Sequence, residues 1–113
     1  YYLTRCEAEI FEQEKETWLR LFDPQQAGFE LIELGAGDGL KTKILLKHFL
    51  QQKARFTYVP IDISAGVLTE LADNLHNELP QLSVKPTEGD YFTALQRQLC
   101  STDAIRRVVL FLG

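Results

Sequence analysis

The stretch Phe29-Glu30-Leu31-Ile32-Glu33-Leu34-Gly35-Ala36-Gly37-Asp38-Gly39-Leu40-Lys41-Thr42 decides the fold. Its first six residues are a short, mostly apolar run of strand length. Gly35, Gly37 and Gly39 follow directly, and Lys41 to Gln52 then reads as a helix with Ile44, Leu45, His48 and Phe49 on one stripe. Glycine between a strand and a helix lets the backbone turn sharply and approach a ligand closely, where any Cβ would intrude. The helix behind the loop offers free N–H groups. A strand, glycine loop and helix in this order point to a nucleotide-like ligand. The competing reading is a turn that only packs helix against strand.

Outward from this stretch the elements alternate. Thr4 and Glu7 have the spacing of a capping box, and Ile10, Phe11, Trp18, Leu21 and Phe22 recur at helical spacing, so a helix is expected over Thr4 to Phe22. Asp23-Pro24 ends it. Phe56 to Asp62 is the next strand, and Pro60 requires a place where one ladder bond is dispensable. Ser64 is an N-cap for a helix over Ala65 to Glu78, which Pro80 stops. Leu82 to Pro86 reads as a short strand, Glu88-Gly89-Asp90 as a turn, and Phe92 to Leu99 as a helix. Arg106 to Leu112 is the last strand, its apolar run of the kind buried on both faces of a parallel sheet. This alternation predicts an α/β fold with a parallel sheet, preceded by an N-terminal helix.

Composition narrows the class. The chain has 113 residues, enough for one domain spanning 1–113. It is 45% hydrophobic with a net charge of −4, which excludes whole-chain disorder and a strongly basic nucleic-acid footprint. No apolar run is long enough to cross a membrane, and the first residues lack the apolar core of a signal peptide. Cys6 and Cys100 stand in no Cys-x-x-Cys spacing and read as reduced thiols of a cytoplasmic protein. No metal site is expected. The chain holds no methionine, which suggests a processed chain or part of a longer one.

Two further groups join the glycine loop. Asp62 ends the second strand about twenty residues after the loop, where a carboxylate accepts from the vicinal hydroxyls of a ribose; its alternative role is to cap the next helix. Asp90 and Tyr91 follow the third strand, where Asp90 can accept from an adenine amino group and Tyr91 can flank the ring. Ligands of open α/β sheets bind outside the carboxyl ends of the strands, so the three groups together describe an adenosine pocket. Dinucleotide and S-adenosylmethionine sites share this layout. Leu40 stands where a dinucleotide fingerprint has its final Gly or Ala, and no Gly-Lys-Ser/Thr completes a P-loop. His48 and His76 lie on helices and read as structural; no catalytic triad or protein nucleophile is present to assign, so the catalytic set is empty.

Glu33 to Gly39 resembles the first motif of class I methyltransferases. The likeness sharpens beyond that class. Tyr1 to Ile10 resembles the "YYPTRAEAEI" segment of the histidine-specific methyltransferase family, and Tyr58 to Ser64 its "YVPVDVS". Lys41-Thr42 matches the end of its "ELGSGTSEKT" loop, Gly89-Asp90-Tyr91 stands for its "GDF", and Arg107 to Gly113 resembles "RLVLFLG". The resemblance implies a partial Rossmann-like class I methyltransferase fold, S-adenosylmethionine as cofactor, and methylation of the histidine α-amino group on the way to ergothioneine. By position it implies that Gly35 and Lys41, with Gly37 of the same loop, contact the methionyl part of the cofactor. Asp62 would hold the ribose, Asp90 and Tyr91 the adenine, and Tyr1 the amino-acid substrate. Leu3 replaces the family's proline, Tyr91 its phenylalanine, and Asp38-Gly39-Leu40 part of its loop. In the family most of the substrate pocket follows the last strand, so the chain is expected to be the cofactor-binding portion of a longer enzyme and need not be active by itself. A NAD-linked oxidoreductase half-domain and a non-catalytic nucleotide- or partner-binding module stay open as alternatives. No nucleic-acid or membrane partner is expected; the exposed edge of the last strand invites self-association.

Overall fold

A computed structural model describes residues 2–35, 40–99 and 105–111, with side chains at 10, 12–35, 42–97 and 105–110. The elements are α1 (Tyr2–Phe22), β1 (Phe29–Leu34), α2 (Leu40–Gln51), β2 (Phe56–Asp62), α3 (Ala65–Glu78), β3 (Ser83–Val84), β4 (Thr87–Glu88), α4 (Tyr91–Leu99) and β5 (Arg106–Phe111). All strand pairs are parallel, in the order β3-β2-β1-β5, with β4 continuing the pairing along β2. Of the anticipated third strand, Leu82 to Pro86, only Ser83–Val84 is strand, β3; a second two-residue strand, β4, follows at Thr87–Glu88 and takes in Glu88, which was expected in the turn.

That interruption accommodates Pro60. The carbonyls of Tyr58 and Asp62 accept from Lys85 N and Gly89 N, so the even-numbered residues of β2 face β3 and β4. Pro60 therefore points its missing N–H at the break between the two short strands, although β2 itself is an interior strand.

Alternation along the strands sorts two layers. Phe29, Leu31 and Tyr58 face Leu45, Leu46, Phe49, Leu71 and Leu75 from α2 and α3. Four rings close this layer near the start of the sheet: Phe29 stacks on Phe56 at 5.4 Å, and Phe22 and Phe49 meet Phe29 edge-on. Trp18 and Phe22 of α1 pack against the same cluster; Phe11 lies outside the described side chains. On the other face Ile32, Val59 and Ile61 meet Ala94, Tyr91 and Leu95 of α4.

The turn after α1 is built by Asp23, whose buried Oδ1 accepts from Ala27 N at 2.9 Å and Gly28 N at 3.2 Å. Glu30 and Arg107 sit in register on β1 and β5 and form a 2.9 Å ion pair. The expectation that β5 is buried on both faces is corrected: Val109 is 41% exposed. Among the described residues, α4 covers the β2 side of that face and leaves the β5 side open. No described helix is long and apolar enough to cross a membrane.

Candidate functional site

The strand order reverses at β1. The chain passes outward through α2 to β2 and through α3 to β3, then returns through α4 to the far side of β1 as β5. Right-handed crossovers place α2 and α3 on one face and α4 on the other, as the two core layers show. The carboxyl ends of β1 and β5 thus form a topological switch point, the usual ligand crevice of an open α/β sheet.

Gly35 opens the loop after β1. Its φ is +68°, its N–H donates to the Ile61 carbonyl at 2.9 Å, and a Cβ built there would stand 2.7 Å from the Tyr91 hydroxyl. Glycine is required by both the left-handed backbone and the close approach. Gly37 and Tyr1 lie outside the described residues; Lys41 is in the first turn of α2, its side chain likewise outside them.

Asp62 is the last residue of β2. Its Oδ1 accepts from Ser64 N at 3.1 Å, and Ser64 caps α3 through a 3.3 Å bond from Val67 N. The cap of α3 is therefore Ser64 and not Asp62, which braces the capping residue through its N–H. A carboxylate has about four acceptor positions, so a ribose diol can still be held.

Asp90 precedes α4 and is its N-cap: Oδ1 accepts from Thr93 N at 2.9 Å. This bond, with a second from the Thr93 side chain, holds the carboxyl below its ordinary pKa, so Asp90 is an anion at neutral pH. Tyr91 begins α4 and is half-buried over Ile32, Val59 and Ile61. Gly35, Asp62, Asp90 and Tyr91 are thereby brought to one end of the sheet. Gly35 N bonds β2, Gly89 N bonds the Asp62 carbonyl at 3.1 Å, and the Tyr91 hydroxyl stands over Gly35. A cavity of about 810 Å³ beside Gly28, Phe29, Arg55, Phe56 and Arg106 opens at the opposite end, where the strands begin.

One residue of this end was quoted in the sequence motif without a role. Glu33 is buried, and its carboxylate accepts from the Thr42 hydroxyl at 2.8 Å and from the Tyr58 hydroxyl. Burial first, and then the Glu33 charge, push the Tyr58 phenol far above its ordinary range, so Tyr58 is the donor. The available signal was alternation: Glu33 follows Phe29 and Leu31 on the core-facing side of β1. His48 is also buried, on α2 beneath α1, away from the strand ends. Among the described residues no cluster of His, Cys, Asp and Glu suits a metal ion.

A parallel sheet with flanking helices, wound outward through α2 and α3 and back through α4, is a partial Rossmann-like fold. The crystal structure of DszA carbon methyltransferase shares it, with a TM-score of 0.56 at 20% identity over 77% of this chain and 24% of that one. The model of the family described as "Histidine-specific methyltransferase, SAM-dependent" matches residues 1–113, and the chain belongs to that family. Histidine N-alpha-methyltransferase of Mycolicibacterium smegmatis is 31% identical over 114 residues, and that of Mycobacterium tuberculosis 31% over 120. Each alignment takes in 100% of this chain and 33% of the relative, so the chain spans about a third of their length.

Proposed function

We propose that this chain is the cofactor-binding part of an S-adenosylmethionine-dependent N-methyltransferase whose acceptor is the α-amino group of histidine, in a cytoplasmic ergothioneine-type pathway. The observation that carries the reading is the convergence of Gly35, Asp62 and Asp90-Tyr91 at the carboxyl end of the sheet in a chain matched by the family model from end to end.

The residues fit the cofactor. At Gly35 the absent Cβ lets the Tyr91 hydroxyl close on the loop backbone, so the turn and the Tyr91 ring lie side by side, and Asp62 keeps acceptor positions for a ribose. Asp90 is fixed as an anion in its cap and retains lone pairs for an adenine amino group; Tyr91 offers a ring edge beside it. Lys41, in the first turn of α2, is assigned to the cofactor's carboxylate by its motif. The cofactor would supply a sulfonium methyl group for in-line transfer to a neutral amine, the carbon–sulfur bond breaking as the carbon–nitrogen bond forms, with the thioether as leaving group and a proton lost from the amine. The protein's share is alignment and exclusion of water, so no protein nucleophile is called for. Tyr1 is assigned to the amino-acid side of the site by its motif.

Calorimetric titration of the full-length protein with S-adenosylhomocysteine, with NAD as control, tests the reading. Saturable binding of S-adenosylhomocysteine alone is expected, weakened at least tenfold in Asp62→Ala, which loses a charge-assisted bond of about 1.5–3 kcal/mol. Binding of NAD instead would transfer the site to the oxidoreductases. Methyl transfer to histidine, followed by mass spectrometry, tests the acceptor.

A further inference from the structure

Glu33 occupies a position that the pattern of its strand reserves for an apolar side chain. Phe29 and Leu31 fill the same face of β1 as core residues, and Glu33 is only 3% exposed. Thr42 and Tyr58, its partners, are equally buried. Apolar packing commonly stabilises such a position as well as a buried charge does, so a carboxylate here calls for a geometric reason.

The geometry supplies one. Glu33 stands two residues before Gly35, on the entry stem of the glycine turn. Thr42 stands in the first turn of α2, on its exit stem. Tyr58 stands on β2, four residues before Asp62. One carboxylate therefore joins β1, α2 and β2, three of the elements whose ends carry the cofactor groups. Both Glu33 oxygens lie 2.8 Å from the Thr42 hydroxyl, and the Tyr58 hydroxyl donates to one of them.

We infer that Glu33, through Thr42 and Tyr58, is the positioning residue of the cofactor site: it sets the separation of the loop's two stems and their register with the end of β2 without touching the ligand. This rests on reading the glycine turn as the cofactor site. Charge-assisted bonds in a dry interior hold such a spacing tightly, and a small misplacement of a binding loop costs affinity out of proportion to its effect on folding.

The test compares Thr42→Val, Thr42→Ser, Tyr58→Phe and Glu33→Gln in the full-length protein, by calorimetry with S-adenosylhomocysteine, thermal unfolding and steady-state kinetics. Thr42→Val keeps the shape and removes the hydroxyl. It is expected to bind at least tenfold more weakly and to raise KM for S-adenosylmethionine while leaving KM for the amine acceptor unchanged, well below its Tm. Thr42→Ser, which restores the hydroxyl, recovers most of that affinity. A role in folding alone lowers Tm and moves neither KM. A folded Thr42→Val that binds within twofold of the parent overturns the inference. If Glu33→Gln fails to fold, the Thr42→Val and Thr42→Ser pair decides. A folded parent that binds no S-adenosylhomocysteine overturns the cofactor reading, and this inference with it; a parent that binds beside variants that bind equally overturns this inference alone.

Discussion

Gly35 concentrates two constraints in one residue. Its φ of +68° belongs to the left-handed region, which costs a non-glycine residue about 1 kcal/mol or more. Independently, the Tyr91 hydroxyl occupies the space of its missing Cβ, at 2.7 Å, with the ring carbon behind it at 3.4 Å. The second constraint depends on Tyr91 being a tyrosine and the first does not. Gly35→Ala is therefore expected to destabilise the protein by more than the backbone term, and Tyr91→Phe to relieve part of the excess. A double-mutant cycle measured by urea unfolding should show a favourable coupling of about 0.5–1.5 kcal/mol; strict additivity would mean that the hydroxyl moves aside freely. The motif showed that glycine was needed here. The identity of the atom excluding a Cβ came from a residue 56 positions later in the chain, brought over by β4 and α4.

At the scale of elements, caps set some boundaries and not others: α1 begins at Tyr2, ahead of the Thr4 and Glu7 pair expected to cap it. Ser64 caps α3 through Val67 N as its residue type suggested, and Asp90 caps α4 in the same way. The third strand was misread as one piece because its division is imposed from outside: Pro60 on β2 offers no donor, and pairing resumes only beyond it. The seam between α1 and α2 carries a pH dependence. His48, 5% exposed, has its pKa lowered below 6.5 first by burial and then by Lys15, with Glu16 and Glu12 pulling it partway back. The unfolded chain thus takes up this proton before the folded one. The stability tied to a neutral His48 is fully present above about pH 6.5 and is lost as pH falls toward the folded pKa. Urea midpoints at pH 7.5 and 5.5 should differ more in the parent than in His48→Gln; an equal difference would show that His48 titrates alike in both states.

At the scale of the whole molecule, the open side of the sheet matters most. Among the described residues β5 pairs only with β1, and Val109 is half-exposed on the face that α4 leaves uncovered. An unpaired parallel edge beside an apolar face is a template for association. We propose that the 113-residue chain self-associates there, so sedimentation velocity should show a mass rising with concentration. Val109→Lys should reduce it, since an edge lysine disfavours pairing; a mass independent of concentration in the parent would refute it.

The amino-acid sequence by itself determined the alternation of strands and helices, the parallel sheet, the glycine turn and the positions of Asp62 and Asp90 near strand ends, because periodicity, capping and backbone freedom act over a few neighbouring residues. Motif likeness led to the methyltransferase family that the comparisons show. Tertiary structure alone decided which side chains meet. It joined Glu33 to Thr42 and Tyr58, set Tyr91 over Gly35, turned the missing donor of Pro60 toward the gap between β3 and β4, and left one face of β5 open. Those contacts are made between residues distant in sequence, and only the strand order and the crossovers that wind about it bring them within bonding distance.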